Sequence, residues 1–573
     1  MERKTRPGTG RSVPDPRSNP RIAALLAIAA ISFIIGVISG CPGSPNRDAA
    51  ERFVDAWSEG NYSEMHSELS TASQKAVPLE RFIARIGESE AFGTVESLEG
   101  DDAEGDEEVA LIPMSLRTRA FGRIEQSLRV EFGVDGIAWQ PSLLFPGLRE
   151  GEELVRETEF EERAPILARD GQEMATGPAE AREYPLGTGM VDVVGITEAA
   201  GDDIDTTLVA QGVDPGDSTG GSGLELAYNG RLSGKPGGTL SATPIDGGGE
   251  ERVLGEGEPK AAEPLKTTID PEVQDAAALN ISGYIGGVAV LDVKSGEIRG
   301  VAGAAWSVLR PPGSTFKIVT ATAALKTGKA TLDSEYEYAT YGIADGREIK
   351  NAGDKLCGGD FTQVFADSCN SVFAPLGEEV GEEALSGTAE QFGFNKVPAV
   401  FDETGTELID PPTPTIPKPG EFESDLGVSS IGQGLVQATP LQMASVAQGI
   451  ANRGVVMPTP IVTEKGLGPN RKPVRVASPE VARQMTGLMV AVVTSGTGYA
   501  AAISEGQVAG KTGTAEIGPR GDGSEELIED AWFAGFAPAD DPELAIAVTV
   551  TDASGSGGEV AAPIAGAVLS AGL

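Results

Sequence analysis

At 573 residues the chain is too long for one hydrophobic core and implies three or four domains. Its 44 basic and 86 acidic side chains leave a net charge of −42, which argues against nucleic acid as a partner and reads as a heavily solvated acidic surface. One histidine, His66, and three cysteines exclude most metal sites and a Ser-His-Asp triad, so neither a metal nor a cofactor is expected.

Residues 1–21 form a basic tail containing Gly and Pro. Residues 22–40 are an uncharged apolar run, about 28 Å long as a helix, roughly one bilayer core. The basic flank puts the N-terminus in the cytoplasm and everything after the run outside. Ile38-Ser-Gly-Cys41 is similar to a bacterial lipobox, which makes Cys41 a candidate for lipidation. The run is thus either a retained transmembrane anchor, which its length favours, or a lipoprotein signal. Both readings tether the body to the cell membrane with its catalytic part extracytoplasmic.

Residues 46–148 read as the first folded unit. Residues 49–57 have the spacing of an amphipathic helix, and the segments from Ser115 and Ser127 alternate like strands. Residues 149–262 carry no catalytic signal. Within them 198–221 is acidic and Gly-rich and reads as an exposed loop. Gly234-Lys-Pro-Gly237-Gly238 lacks the following helix that a phosphate loop requires. The last unit, 265–573, opens on a helix with Asp270 as N-cap, followed by a hairpin around Lys294-Ser295.

The chemistry centres on Arg310-Pro-Pro-Gly-Ser314-Thr-Phe-Lys317. Pro311, Pro312 and Gly313 interrupt a helix, whereas 318–325 reads as a buried one, so Ser314 is expected at a helix N-terminus. Lys317, one turn on, returns its amine to the same face. A hydroxyl becomes a nucleophile when a base takes its proton, and a lysine with a lowered pKa can do so. Taken alone, the four residues read more readily as a capped helix with a solvated lysine. Downstream, Ser368-Cys-Asn370 opens another apolar helix, and Lys511-Thr512-Gly513-Thr514 lies in strand-like sequence. An earlier Lys326-Thr327-Gly328 reads as a helix stop with Gly328 as cap. A P-loop around Gly506 and Gly510 fails on spacing and on the missing helix.

The order Ser-x-x-Lys, Ser-x-Asn, Lys-Thr-Gly resembles the penicillin-binding transpeptidase and serine β-lactamase set. Ser429-Ser-Ile-Gly432-Gln-Gly434 and the residues to Ala444 match a long class B signature, and Asn452-Arg-Gly454, Ser495-Gly-Thr-Gly498 and Trp532-Phe-Ala-Gly follow in family order. The chain is therefore similar to the class B penicillin-binding proteins. Residues 46–148 resemble the N-terminal domain of the low-affinity, methicillin-resistance type, a cone-shaped nuclear transport factor-like fold. Residues 149–262 resemble the non-catalytic, dimerisation-type module.

The resemblance implies an α+β multidomain chain whose last unit is an antiparallel sheet sandwiched by helices. It implies a peptidoglycan D,D-transpeptidase that cross-links stem peptides through a serine acyl-enzyme and is trapped by β-lactams. The catalytic set would be Ser314, Lys317, Ser368, Asn370 and Lys511, with Thr512, Gly513 and Thr514 binding substrate. Partners would be stem peptides, β-lactams and cell-wall synthesis proteins such as glycosyltransferases. A serine β-lactamase, a β-lactam sensor and a non-catalytic cell-wall scaffold are the alternatives; the long stalk and the intact boxes argue against them. Cys357 and Cys369, twelve positions apart in an oxidising compartment, are either a disulfide at the site's rim or two unpaired cysteines.

Overall fold

The computed structural model describes residues 45–402, 405, 409, 411–519 and 527–573. The expected basic tail, the apolar run and Cys41 lie outside the described residues. Among the described residues, no helix is long and apolar enough to cross a membrane.

Two compact units result. The first comprises residues 45–163 together with Ala199–Thr219 and Ser233–Ala262. Its helix Pro45–Ser58 turns Ala50, Phe53, Val54 and Trp57 inward, as the spacing predicts. These side chains share a core with helix Leu79–Phe92 and with the alternating inner residues of antiparallel strands Val95–Gly100, Val109–Thr118 and Arg123–Glu131. A further sheet pairs Gly237–Pro244 with both Glu152–Glu159 and Arg252–Gly257. The His66 Nε2–H donates to the Val77 carbonyl, 2.8 Å away, and the ring packs edge-on against Phe82, so the one histidine is structural. The stretch 198–221, expected to be an exposed loop, instead contains a short helix, Thr206–Ala210, capped by Asp205. Leu208 and Val213 are buried there, and two apolar side chains anchor what composition alone reads as solvent-exposed.

The second unit comprises Ala164–Glu198, Gly220–Leu232 and Glu263–Leu573, so residues 149–262 are divided between the two units. Its sheet has five antiparallel strands: β1 (Gly286–Asp292), β2 (Ile298–Gly303), β3 (Ala509–Pro519), β4 (Leu527–Ala537) and β5 (Leu544–Val550). Their spatial order is β2-β1-β5-β4-β3. Strand β5 is buried at every position, and β1 at all but its last, which requires helices on both faces. On one face α1 (Pro271–Ile281) and the C-terminal helix Ala561–Gly572 pack on Val288, Val290, Ile546 and Val548. On the other lies helix Pro440–Ala451, buried along its whole length. Asp270 caps α1 by accepting from the Glu272 N–H, as expected. Strand β3 is the sheet's edge, and the nucleophile turn packs against it.

Candidate active site

Ser314 lies inside a single 3₁₀ turn, Gly313–Phe316, that leads into α2 (Lys317–Thr327). This differs from the expected helix N-terminus: Ser314 is within the turn and makes no capping hydrogen bond, which leaves its partly exposed hydroxyl uncommitted to the helix. The turn is tied down by its neighbours. The Thr315 hydroxyl donates to the Pro312 carbonyl at 2.6 Å, and the Gly313 N–H donates to the Gly432 carbonyl at 2.9 Å. Gly313 has φ +52°, and a Cβ there would meet the Thr514 carbonyl at 2.9 Å. Glycine is required at 313 for its conformation and for the closeness of β3. Gly328 ends α2 in the left-handed conformation, so the earlier Lys-Thr-Gly is a helix stop.

Lys317 is fully buried. Its Nζ donates to the Ser368 carbonyl at 2.8 Å, the Ser368 hydroxyl at 3.2 Å and the Asn370 Oδ1 at 2.6 Å. These three oxygens fix where the amine points. Burial nonetheless pulls the Lys317 pKa well below its ordinary value, and the charge of Lys511 adds to the effect.

The Ser-x-Asn box joins α3 (Phe361–Ala366) to α4 (Asn370–Val380). Ser368 has φ +61°, an uncommon conformation for a residue with a Cβ, and it turns the chain sharply between the helices. Next to it, Cys369 is joined to Cys357 in a disulfide, with Cα atoms 5.7 Å apart. Of the two cysteine readings the structure therefore holds the bonded one. Asn370 donates one N–H to the Lys350 carbonyl at 2.9 Å; its amide has a second N–H to offer.

Lys511 and Thr512 sit on β3, opposite Ala534 and Phe533 of β4. Lys511 is fully buried, donates to the Thr512 carbonyl at 3.0 Å and has its Nζ 5.7 Å from the Phe365 ring centroid. Burial brings its pKa down to about 7. The Lys317 Nζ lies 5.5 Å from the Phe373 ring centroid. Gly513 faces the nucleophile turn: a Cβ there would lie 2.8 Å from the Pro312 carbonyl oxygen and 3.1 Å from Thr315. The Thr514 hydroxyl accepts from the Gly557 N–H at 3.3 Å.

All eight residues expected at the site are thus brought together around α2, the α3–α4 junction and β3. The structure adds Thr497, whose hydroxyl is 2.5 Å from that of Thr512. Its segment, Ser495-Gly-Thr-Gly498, stands out in the sequence without disclosing a role. It also adds the rings of Phe365 and Phe373, which the sequence shows only as apolar helix positions.

Residues 286–570 match the penicillin binding protein transpeptidase domain, and residues 158–267 match the penicillin-binding protein dimerisation domain. The chain is 33% identical over 375 residues to the peptidoglycan D,D-transpeptidase PbpA of Mycolicibacterium smegmatis, covering 54% of this chain and 72% of that protein. It is 29% identical over 467 residues to the stage V sporulation protein D of Bacillus subtilis, covering 72% and 67%. Among solved structures it is similar to the D,D-transpeptidase domain of a peptidoglycan glycosyltransferase from Eggerthella lenta, with TM-score 0.56 and 27% identity over 72% of this chain and 98% of that one. The three boxes and the long glutamine-glycine signature all fall within the transpeptidase match, the dimerisation match precedes it, and the chain belongs to the class B penicillin-binding protein transpeptidase family.

Proposed function

We infer that the chain is a peptidoglycan D,D-transpeptidase that acts on stem peptides and binds β-lactams at the same serine. The observation that carries this reading is a buried lysine, Lys317, held on Ser368 and Asn370 one turn from Ser314, with the Lys511 strand packed against that turn. In the reaction Lys317, its pKa lowered by burial, accepts the Ser314 proton. The Ser314 oxygen attacks the penultimate carbonyl of the D-Ala-D-Ala end. Backbone N–H groups of Ser314 and Thr514 stabilise the oxyanion; losing one such donor costs about 3–4 kcal/mol. The carbon–nitrogen bond then breaks, and Ser368 gives its proton to the departing D-Ala amine while taking the one that Lys317 holds. An amine of a neighbouring strand attacks the acyl-enzyme, and the proton it sheds returns through Lys317 to the Ser314 oxygen. The free N–H of Asn370 holds the peptide, while Lys511 with the Thr512 and Thr514 hydroxyls binds the terminal carboxylate.

The same reading extends to the rest of the chain. Residues 46–148 act as a spacer of the methicillin-resistance type, residues 149–262 as the non-catalytic module, and residues 22–40 or a lipid on Cys41 as the tether. The active site then works outside the membrane beside cell-wall glycosyltransferases. Labelling with a fluorescent penicillin tests the core of the proposal. Native protein is expected to label covalently, and Ser314→Ala and Lys317→Ala to lose the label while folding normally. Undiminished labelling of either variant overturns the mechanism.

A further inference from the structure

We propose that Thr497 is a positioning residue that aims the Thr512 hydroxyl proton at the terminal carboxylate of the acyl donor. This rests on the substrate reading above. Thr497 follows helix α5 (Pro479–Thr494) in a loop that close backbone approaches hold fast. A Cβ at Gly496 would lie 2.4 Å from the Ala366 carbonyl oxygen, and one at Gly558 2.3 Å from the Thr497 carbonyl oxygen. The loop is therefore clamped to the end of α3, two residues before Ser368.

The hydroxyl of Thr497 has two neighbours, the Thr512 hydroxyl at 2.5 Å and the Ala366 carbonyl oxygen at 3.4 Å. A threonine hydroxyl has one proton to give. If Thr497 gives it to Ala366, Thr512 must give its own to Thr497, and Thr512 then turns only lone pairs toward an incoming carboxylate. If Thr497 gives it to Thr512, the Thr512 proton is free for the substrate. Two facts favour the second arrangement. The Ala366 carbonyl already accepts the Thr497 backbone N–H at 3.3 Å, and 3.4 Å is long for a hydroxyl donor whereas 2.5 Å is short. A carboxylate, which only accepts, selects that arrangement when it binds. Among the described residues Thr497 is the hydrogen-bond partner of the Thr512 hydroxyl, so nothing else fixes its direction.

The test is acylation kinetics of the full chain in detergent with two ester donors that mimic the stem peptide. One has a free terminal carboxylate, and the other carries a primary amide in its place. Thr497→Val is expected to lower kcat/KM about tenfold for the carboxylate donor, through KM, as loss of one orienting hydrogen bond implies. The amide donor should be little changed, and Thr497→Ser should restore native values. In a Thr512→Val background, adding Thr497→Val should cost nothing further. Equal losses on both donors, or additive losses in the double variant, overturn the proposal. Thr497→Ala removes the same hydroxyl and replaces the valine variant should that one misfold. Failure of the native chain to be acylated at all would instead refute the assigned function.

Discussion

Lys511→Met separates what the site requires from what the fold prefers. Lys511 is fully buried, its Nζ has the Thr512 carbonyl and the Phe365 ring for company, and among the described residues no carboxylate lies within ion-pair distance of it. Burial lowers its pKa from 10.5 to about 7. Keeping the group protonated in the folded state therefore costs roughly 5 kcal/mol, at 1.36 kcal/mol for each pH unit. The unfolded chain keeps that proton up to the ordinary lysine range, and the folded chain releases it near pH 7. Between those limits the unfolded state binds more protons, so stability climbs with pH; below pH 7 the full cost is present. Methionine keeps the unbranched shape and removes the charge. Lys511→Met is expected to unfold at a higher urea concentration than the native protein at pH 6, with the gap narrowing toward pH 10. The same variant should lose penicillin acylation at every pH. Urea titrations followed by circular dichroism at the two pH values measure this. A gap that is the same at both, or a variant less stable than native at pH 6, refutes the reasoning.

Above pH 7 Lys511 loses its charge, so acylation by carboxylate-bearing donors should slow as pH rises past that point; Lys511→Arg, which stays charged, should remove this alkaline limb in a pH–rate profile. Gly513→Ala places a Cβ against the backbone of Pro312 and is expected to abolish penicillin labelling with little change in circular dichroism, whereas native-like labelling would show that β3 can give way. A non-reduced digest should contain a linked Cys357–Cys369 peptide, and Cys357→Ser should lower stability by up to about 3 kcal/mol and slow acylation, because Ser368 is held beside that bond. Free thiols at both positions would end this prediction. Intact mass of membrane-extracted protein distinguishes a lipidated N-terminus at Cys41 from a retained basic tail.

The boxes were legible because each is a local pattern tied to a local structure. Asp270, Gly328 and the Lys294-Ser295 turn could be placed for the same reason: a cap or tight turn is specified within a few residues. Ser314 shows the limit of that reasoning. Pro-Pro-Gly does end the preceding chain, but the turn that follows is also tied to Gly432 and packed on Thr514, far away in sequence. The helix at Thr206–Ala210 was hidden for a related reason. Its acidic, glycine-rich surroundings dominate the composition, and Leu208 and Val213 carry the packing almost alone. The Thr497–Thr512 contact joins the loop after α5 to β3 across fifteen positions, and no spacing rule predicts it.

The chemistry depends as much on the acidic residues kept out as on the basic ones brought in. This chain has 86 acidic side chains, and among the described residues neither Lys317 nor Lys511 is ion-paired with one. The oxygens on both amines are neutral: the Ser368 carbonyl and hydroxyl, the Asn370 amide and the Thr512 carbonyl. A carboxylate in that space would raise both pKa values and leave Lys317 a spent ammonium instead of a base. It would also occupy Lys511, the cation proposed to bind the donor's own carboxylate. Hydrogen bonds from neutral acceptors hold both amines in place without supplying that charge. Introducing one is therefore more damaging than removing a partner: Asn370→Asp, nearly identical in shape, should raise the Lys317 pKa and suppress acylation at neutral pH more than Asn370→Ala does.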